Sequence, residues 1–463
     1  MKTIRNVLDG VLLHGSENWS VKHVIDYKKH ELTAKNTLLF VYRNDTIDWQ
    51  EFKDKLPLVI FSDKPEHELK PPFSQITVIK VRSVVQAYWK FIEFYRNQFE
   101  IPVVAITGTC GKTTTKEMLK HILSAEMNVQ ASISSKNEPR QSLPYLMGIN
   151  AQTKAAVFEL GLGNTGNIKH QCMIYQPTIG VITNIGVHHL DGCNDLAGYI
   201  KAKGEIVEGI KPNGTLIINK DDENTKRISL ENFKGRVMTF GIHNNADVMA
   251  SNIKFSQNGM KFQVHVDNKT YSAYIPGYGE HQVYNVLAVL TVIKAMNLSI
   301  PKALLRLRTF EPMARHLQFS KGLGGSTIID DTWTINPTSI KAALNVLKEL
   351  GKNKKVILVL GDINRLGRFE QRYHHEIGSL VAKQNVHMLV TIGNKAQAIA
   401  KKALQDGTTA QVHSFQKIDG VLDIVKPQLD QDTLLLIKGP MSSRDMVNFA
   451  QQLQLTTNKR RIR

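Results

Sequence analysis

The sequence predicts an α/β protein of three domains. Three observations carry this. At 463 residues the chain is too long for one hydrophobic core. Short β-branched runs alternate with helically spaced apolar stretches along its whole length. And one segment, VVAITGTCGKTTTKEM at 103–118, reads as strand, glycine loop and helix start in immediate succession. The predicted units are a small α/β N-terminal domain (1–100), a central domain with a parallel sheet and a small antiparallel hairpin (101–313), and a C-terminal α/β domain of Rossmann-like pattern (314–463).

In the first unit, apolar runs at 37–41, 58–61 and 76–79 predict three strands, and 85–96 has helical spacing. In the second, strands are expected at 103–106, 155–160, 179–183, 214–218 and 237–240, separated by helical stretches as βαβ units require. Alternation over 260–266 and the run at 271–275, joined through Asn268-Lys269, predict the hairpin. A long helix is expected over 281–296. In the third unit, strands are expected at 327–330, 356–360, 388–392 and 434–437, again alternating with helices. No repeat of solenoid period and no low-complexity segment interrupts this order.

Bulk composition narrows the function. Apolar residues make up 42% of the chain, enough for a sizeable core, but no apolar run reaches membrane-spanning length. The N-terminus, MKTIRNVLDGVLLHG, lacks a long apolar core and reads as mature protein. Cys110, Cys172 and Cys193 are few, odd in number and form no metal-binding pair, which fits a reducing cytoplasm. The net charge is +18. Its positive residues are dispersed, except for Lys459, Arg460, Arg461 and Arg463 in the tail. That tail reads as a solvated end, with a nucleic-acid arm as the alternative. Anionic small molecules already account for a basic cleft, so neither nucleic acid nor membrane insertion is expected, and the chain is expected to be a monomer.

The glycine loop is the strongest chemical signal. Gly108 and Gly111 bracket a tight turn that lets backbone N–H groups face inward. The helix N-terminus adds positive potential, and Lys112 adds a full charge. The Thr113 hydroxyl is the expected magnesium ligand. The loop is shorter than the usual form, with two residues between the glycines, and its alternative reading is a glycine turn before an ordinary helix.

Ligands of open parallel sheets bind beyond the carboxyl ends of the strands, so polar residues there are candidates. Glu159 ends an otherwise apolar strand, as a metal ligand or as a paired structural acid. His188 and His189 follow Asn184. Imidazole is a poor partner for magnesium, and His189 alone reads as a hydrogen-bonded loop residue. Lys201 and Lys203, taken on composition, lie on a solvated helix face. Asp330-Asp331, Asn336-Pro337, Gly361-Asp362 and Lys438-Gly439 cluster at strand ends of the third unit. They suggest a second lip closing over a nucleotide.

Together these segments resemble the Mur ligase family, the ATP-dependent amide ligases of peptidoglycan precursor synthesis. The resemblance runs from about residue 75 to 445. Its phosphate loop is Gly108-Thr109-Cys110-Gly111-Lys112-Thr113-Thr114, and its metal glutamate matches Glu159 in FELGLGNTGNI. VITNIGVHHLDG resembles the family stretch that places Asn184 and the metal-binding His189. IKAKGEI matches the carbamylated lysine, here Lys203, whose acquired carboxylate would help hold a second magnesium ion. GYGEHQVYN places His281 and Asn285 on the adenine side. EPMARH places Arg315 against the terminal phosphate, and IIDDTWTINPTS places Asp331 at the ribose. LGDINRLG, His374, Gly378 and Lys438-Gly439 match further family positions.

The resemblance implies ATP and two magnesium ions as cofactors, and an acid and an amine as substrates. The substrates of the likeness are a UDP-linked muramoyl peptide and D-alanyl-D-alanine. Lys112, Lys203, His189 and Arg315 would be catalytic, and Thr113, Glu159, His189 and Lys203 would hold metal. The N-terminal domain would bind the acid, and the C-terminal domain would bind the amine and close on ATP. Departures fall on the substrate side. The expected Asp-Ser-Arg reads Asp26-Tyr27-Lys28, and the glycine-rich uridine segment is missing from VYRNDTIDWQEF. The asparagine-rich loop reads SSKNEPRQSLP. An expected glutamate is Arg365, an expected asparagine is Thr334, and an expected arginine is Met441. A paralogue joining a different acid and amine is therefore the alternative.

Overall fold

The computed structural model describes residues 1–26 and 32–455. Tyr27, Lys28 and the basic tail lie outside the described residues. Three sheets form in chain order. The first has five strands in the order Val11–His14, Ile76–Lys80, Leu58–Ser62, Thr37–Val41, His23–Asp26. All but the first strand run parallel. Its central strands are buried along their whole length, as continuous Leu/Val/Ile/Phe runs require when both faces are covered. Helix Val84–Arg96, capped by the Ser83 hydroxyl, buries Val84, Ala87, Tyr88, Phe91 and Ile92 at helical spacing.

The second sheet has nine strands. Its order is Lys269–Pro276, Gly259–Val266, Val248–Ser256, Arg236–Gly241, Thr215–Asn219, Ile179–Ile182, Val103–Thr107, Ala155–Glu159, Val129–Ala131. Neighbours pair parallel from Val129–Ala131 to Val248–Ser256, and the last two pairings, at the hairpin end, are antiparallel. The hairpin turn is Asp267-Asn268, one residue earlier than expected. Val266 pairs with Lys269, and both turn residues take positive φ, as a two-residue primed turn demands. Helix Lys112–Leu123 buries Met118, Leu119, Ile122 and Leu123 against this sheet and against helix Glu280–Ala295. The latter is buried on nearly every side.

The third sheet has six strands in the order Gln318–Lys321, Thr327–Asp331, Thr433–Lys438, Lys355–Gly361, Met388–Ile392, Gln411–Phe415. Only the first is antiparallel. The carboxyl ends of its strands face those of the central sheet across one cleft. No described helix is long and apolar enough to cross a membrane.

Candidate functional site

The cleft is a cavity of about 710 Å³. It is lined from the central domain by Thr109 to Thr114, Glu159, Asn184, His188, His189, Lys203, His281 and Asn285, and from the third domain by Asp331, Trp333, Arg365 and Lys438. Most of the residues selected from the sequence therefore converge here, from segments more than three hundred residues apart.

The glycine loop is held from behind. The Asn184 side chain both accepts from Cys110 N (3.1 Å) and donates to Cys110 O (3.0 Å), and Thr183 Oγ1 donates to the same carbonyl (2.7 Å). Thr109 N donates to Asn184 O at 2.9 Å, and Gly186 N donates to Thr109 Oγ1 at 2.8 Å. Two glycines are required by space. A Cβ on Gly108 would lie 2.0 Å from Thr183 Oγ1, and one on Gly111 would lie 2.2 Å from Asn285 Oδ1, both at positive φ. Gly108 itself stands behind the loop, outside the cavity lining.

At the loop mouth, Glu159 is 2% exposed and fully engaged. It accepts from Thr113 Oγ1 (2.8 Å) and from Asn137 Nδ2 (2.6 Å), with Lys112 Nζ at 4.0 Å. Lys203 is likewise 2% exposed and sits inside the cleft, not on a solvated face. Its Nζ donates to Thr107 Oγ1 at 3.1 Å and lies 5.4 Å from the Tyr199 ring. Burial first, then the nearby Lys112 charge, hold the Lys203 amine well below its ordinary pKa. His188 and His189 stand with ring centroids 4.0 Å apart. Burial and the surrounding cations push His188 well down and His189 down to about 3. His189 Nδ1 is buried with no hydrogen-bond partner among the described residues. Burial lowers His281 to about 4.

The third domain adds Asp331, which accepts from Lys438 Nζ and from Leu317 N (3.2 Å). Lys438 also donates to Thr334 O at 2.9 Å. Asn336 caps helix Pro337–Leu350 through Ser339 N (2.8 Å) while its Oδ1 lies 3.6 Å from Cys110 Sγ. Arg315 does not line the cavity. Its guanidinium lies 4.5 Å from the Trp333 ring centroid, and Trp333 does line it. His374 accepts from Ile363 N (3.3 Å) and steadies the LGDINRLG turn from beneath rather than entering the cleft.

Sequence reasoning missed Asn137, Thr183, Tyr199 and Trp333, which touch or support this site. Asn137 carried a signal, an asparagine in the loop after the phosphate helix. The others declare themselves only through contacts distant in sequence.

The residues present fit magnesium. Glu159 and Thr113 offer hard oxygens beside the phosphate loop, and His189 Nδ1 is an orphaned buried atom in the same cavity. Among the described residues no three His, Cys, Asp or Glu groups close a metal site by themselves. Protein would thus supply part of the coordination shell, as is usual for magnesium beside phosphates.

Residues 106–293 match the Mur ligase middle domain, and residues 316–441 match the Mur ligase, glutamate ligase domain. The UDP-N-acetylmuramoyl-tripeptide–D-alanyl-D-alanine ligase of Bacillus subtilis is 26% identical over 95% of this chain and 94% of its own. That of Buchnera aphidicola is 29% identical over 79% and 78%. A crystal structure of MurF from Acinetobacter baumannii superposes with a TM-score of 0.82 at 25% identity, covering 97% of this chain and 98% of that one. MurF from Thermotoga maritima in complex with ADP shares the fold, with a TM-score of 0.77 at 18% identity. With both domain matches spanning well over half of its length, in the order and around the cleft just described, the chain belongs to the Mur ligase family.

Proposed function

We propose that the chain is an ATP-dependent, ADP-forming amide ligase that joins the free carboxyl group of UDP-N-acetylmuramoyl-tripeptide to the amine of D-alanyl-D-alanine in peptidoglycan precursor synthesis. One observation carries this reading. A single cleft between the central and third domains brings the phosphate loop, the Thr113–Glu159 pair, Lys203 and His189 together with Asp331.

The chemistry follows from charge. A substrate carboxylate attacks the γ-phosphorus of ATP, the bond to the bridging oxygen breaks, and ADP leaves. The amine then adds to the acyl carbon, phosphate departs, and the amine proton is released. Positioning and cation density carry the first step. Lys112 and the inward N–H groups of residues 109–114 hold the phosphates. Asn184 keeps the loop in shape, His281 and Asn285 face the base, and Asp331 faces the ribose. Arg315 reaches the terminal phosphate by leaving Trp333.

Magnesium, when bound, neutralises the developing charge; Thr113 and Glu159 would hold one ion, and His189 with Lys203 would hold a second. The depressed basicity of Lys203 keeps a fraction of its amine unprotonated, the form that captures CO2 as a carbamate. Residues 1–100 would present the acid and residues 314–463 the amine. The enzyme would act in the cytoplasm as a monomer. Seating of the third domain excludes water from the acyl phosphate.

Arg365, Thr334 and Met441 line the cavity where the family resemblance leads one to expect glutamate, asparagine and arginine. They favour, as a second reading, a paralogue with a different acid and amine. Purified protein supplied with ATP, magnesium, the UDP-muramoyl tripeptide and D-alanyl-D-alanine should release ADP only when both acid and amine are present. Release of AMP and pyrophosphate would overturn the mechanism. ADP release with other acids but none with the muramoyl peptide would select the second reading.

A further inference from the structure

The third domain grips one short stretch of the central domain on both sides of His189. Arg365 Nε lies 2.6 Å from Asp191 Oδ2. Leu190 N donates to Arg365 O at 2.8 Å. Val187 N donates to Thr338 Oγ1 at 3.0 Å. Gly367 packs so closely that a Cβ there would lie 3.3 Å from Asp191 Cα. Residues 187, 190 and 191 are thus all held from across the cleft, and His189 sits between them.

The backbone is unusual on both sides of this contact. His189 has φ 50° and Arg365 has φ 67°, neither being glycine or asparagine. Backbone in this region is costly for such residues and persists where surrounding contacts over-determine it. The contacts beside them that cross the domain boundary are those of Val187, Leu190 and Asp191.

We propose that Arg365 is a positioning residue, a latch that locks the third domain onto the 186–192 segment and thereby fixes His189 in the closed cleft. This rests on the ligase reading. The latch explains why a cation stands at 365. Opposite Asp191, a carboxylate at that position would repel the segment the domain must hold. Because both side chains are partly exposed, the ion pair alone is a modest contact. Its removal by Arg365→Ala should lower turnover only severalfold, in the range of exposed pairs. Arg365→Glu, which sets two carboxylates against each other, should lower kcat by roughly tenfold, the equivalent of about 1.4 kcal/mol.

The test is a charge swap in the full chain. Arg365→Glu, Asp191→Arg and the double variant are compared for kcat, for KM of each substrate, and for thermal melting. The latch predicts that both single variants lose kcat with the amine KM unchanged, that melting temperatures stay at wild type, and that the double variant recovers to within about threefold of wild type. A double variant no better than the singles would overturn it. So would a rise confined to the amine KM, which would make Arg365 a substrate contact. Small-angle scattering separates failure of this inference from failure of the ligase reading. If wild type forms no amide, an expanded Arg365→Glu variant recompacted by the swap still supports the latch. Identical scattering curves for all four proteins refute it.

Discussion

Gly186 offers a direct way to wedge the cleft open. A Cβ added there would lie 1.8 Å from Thr338 Oγ1 and 2.8 Å from both Thr338 Cβ and Cγ2. Gly186 does not have positive φ, so alanine adopts its backbone without strain, and the whole penalty falls on the contact with the third domain. Rotation about χ1 can swing Oγ1 and Cγ2 aside, but Thr338 Cβ stays at 2.8 Å, and the rotation gives up the bond from Val187 N. The third domain must retreat by about an ångström or more, or the closed form must carry overpacking of roughly 1–3 kcal/mol. Because the clash exists only in the seated arrangement, Gly186→Ala should lower kcat/KM by roughly 5- to 150-fold while leaving the melting temperature near wild type. Adding Thr338→Gly removes every clashing atom and should restore most of the loss, short of the hydrogen bond from Val187 N and roughly a few tenths of a kcal/mol of helix propensity. The assay is steady-state ADP release with both substrates. Wild-type kcat/KM in Gly186→Ala would refute the reasoning, because it would mean that turnover does not need the third domain where it now sits.

Other outcomes follow from the same geometry. Lys112→Ala should abolish ADP release without unfolding the protein; residual turnover near wild type would remove the phosphate loop from the chemistry. Glu159→Gln keeps a partner for Thr113 and loses the charge, so Mn2+ affinity measured by electron paramagnetic resonance should fall by roughly 10- to 100-fold, and an unchanged affinity would place the ion elsewhere. Asn184→Ala removes both bonds to Cys110 and should cost about 1–3 kcal/mol of stability, read by denaturant melts with and without ATP. His281 has a folded pKa of about 4 against an ordinary 6.5. The unfolded chain therefore binds more protons between those values, and stability rises with pH across that window at a slope on the order of 1 kcal/mol per pH unit. His281→Asn should flatten that slope; an unaltered slope would show that the imidazole stays protonated in the fold.

The sequence made the interior strands and the main helices legible, because a strand buried on both faces writes itself as a continuous apolar run. It hid strands of another kind. Val11–His14, His23–Asp26, Val129–Ala131 and Gln411–Phe415 lie at sheet edges, half-exposed and mixed in polarity. Gln318–Lys321 likewise occupies an edge, and Val248–Ser256 buries only part of its length. None of these presents the run that the pattern requires. In the site, residues carried by contiguous motifs could be read directly. Lys203 could not be read from composition, because only the fold shows its helix turning that face inward. Nor could the stacking of Arg315 on Trp333 or the hold of Arg365 on Asp191, since each depends on how residues far apart in the chain meet. Asn137 was visible as a residue but lay in a loop that read as altered, and its bond to Glu159 shows the position still engaged.

If this cleft activates a carboxyl group by phosphorylating it, an oxygen of that carboxylate must end in the released phosphate. The most direct test supplies the acid with heavy oxygen in its reacting carboxylate and follows the label by mass spectrometry through one complete ligation. One labelled oxygen is expected in the inorganic phosphate for every amide formed. Label recovered in AMP, or amide formed with unlabelled phosphate, would contradict it.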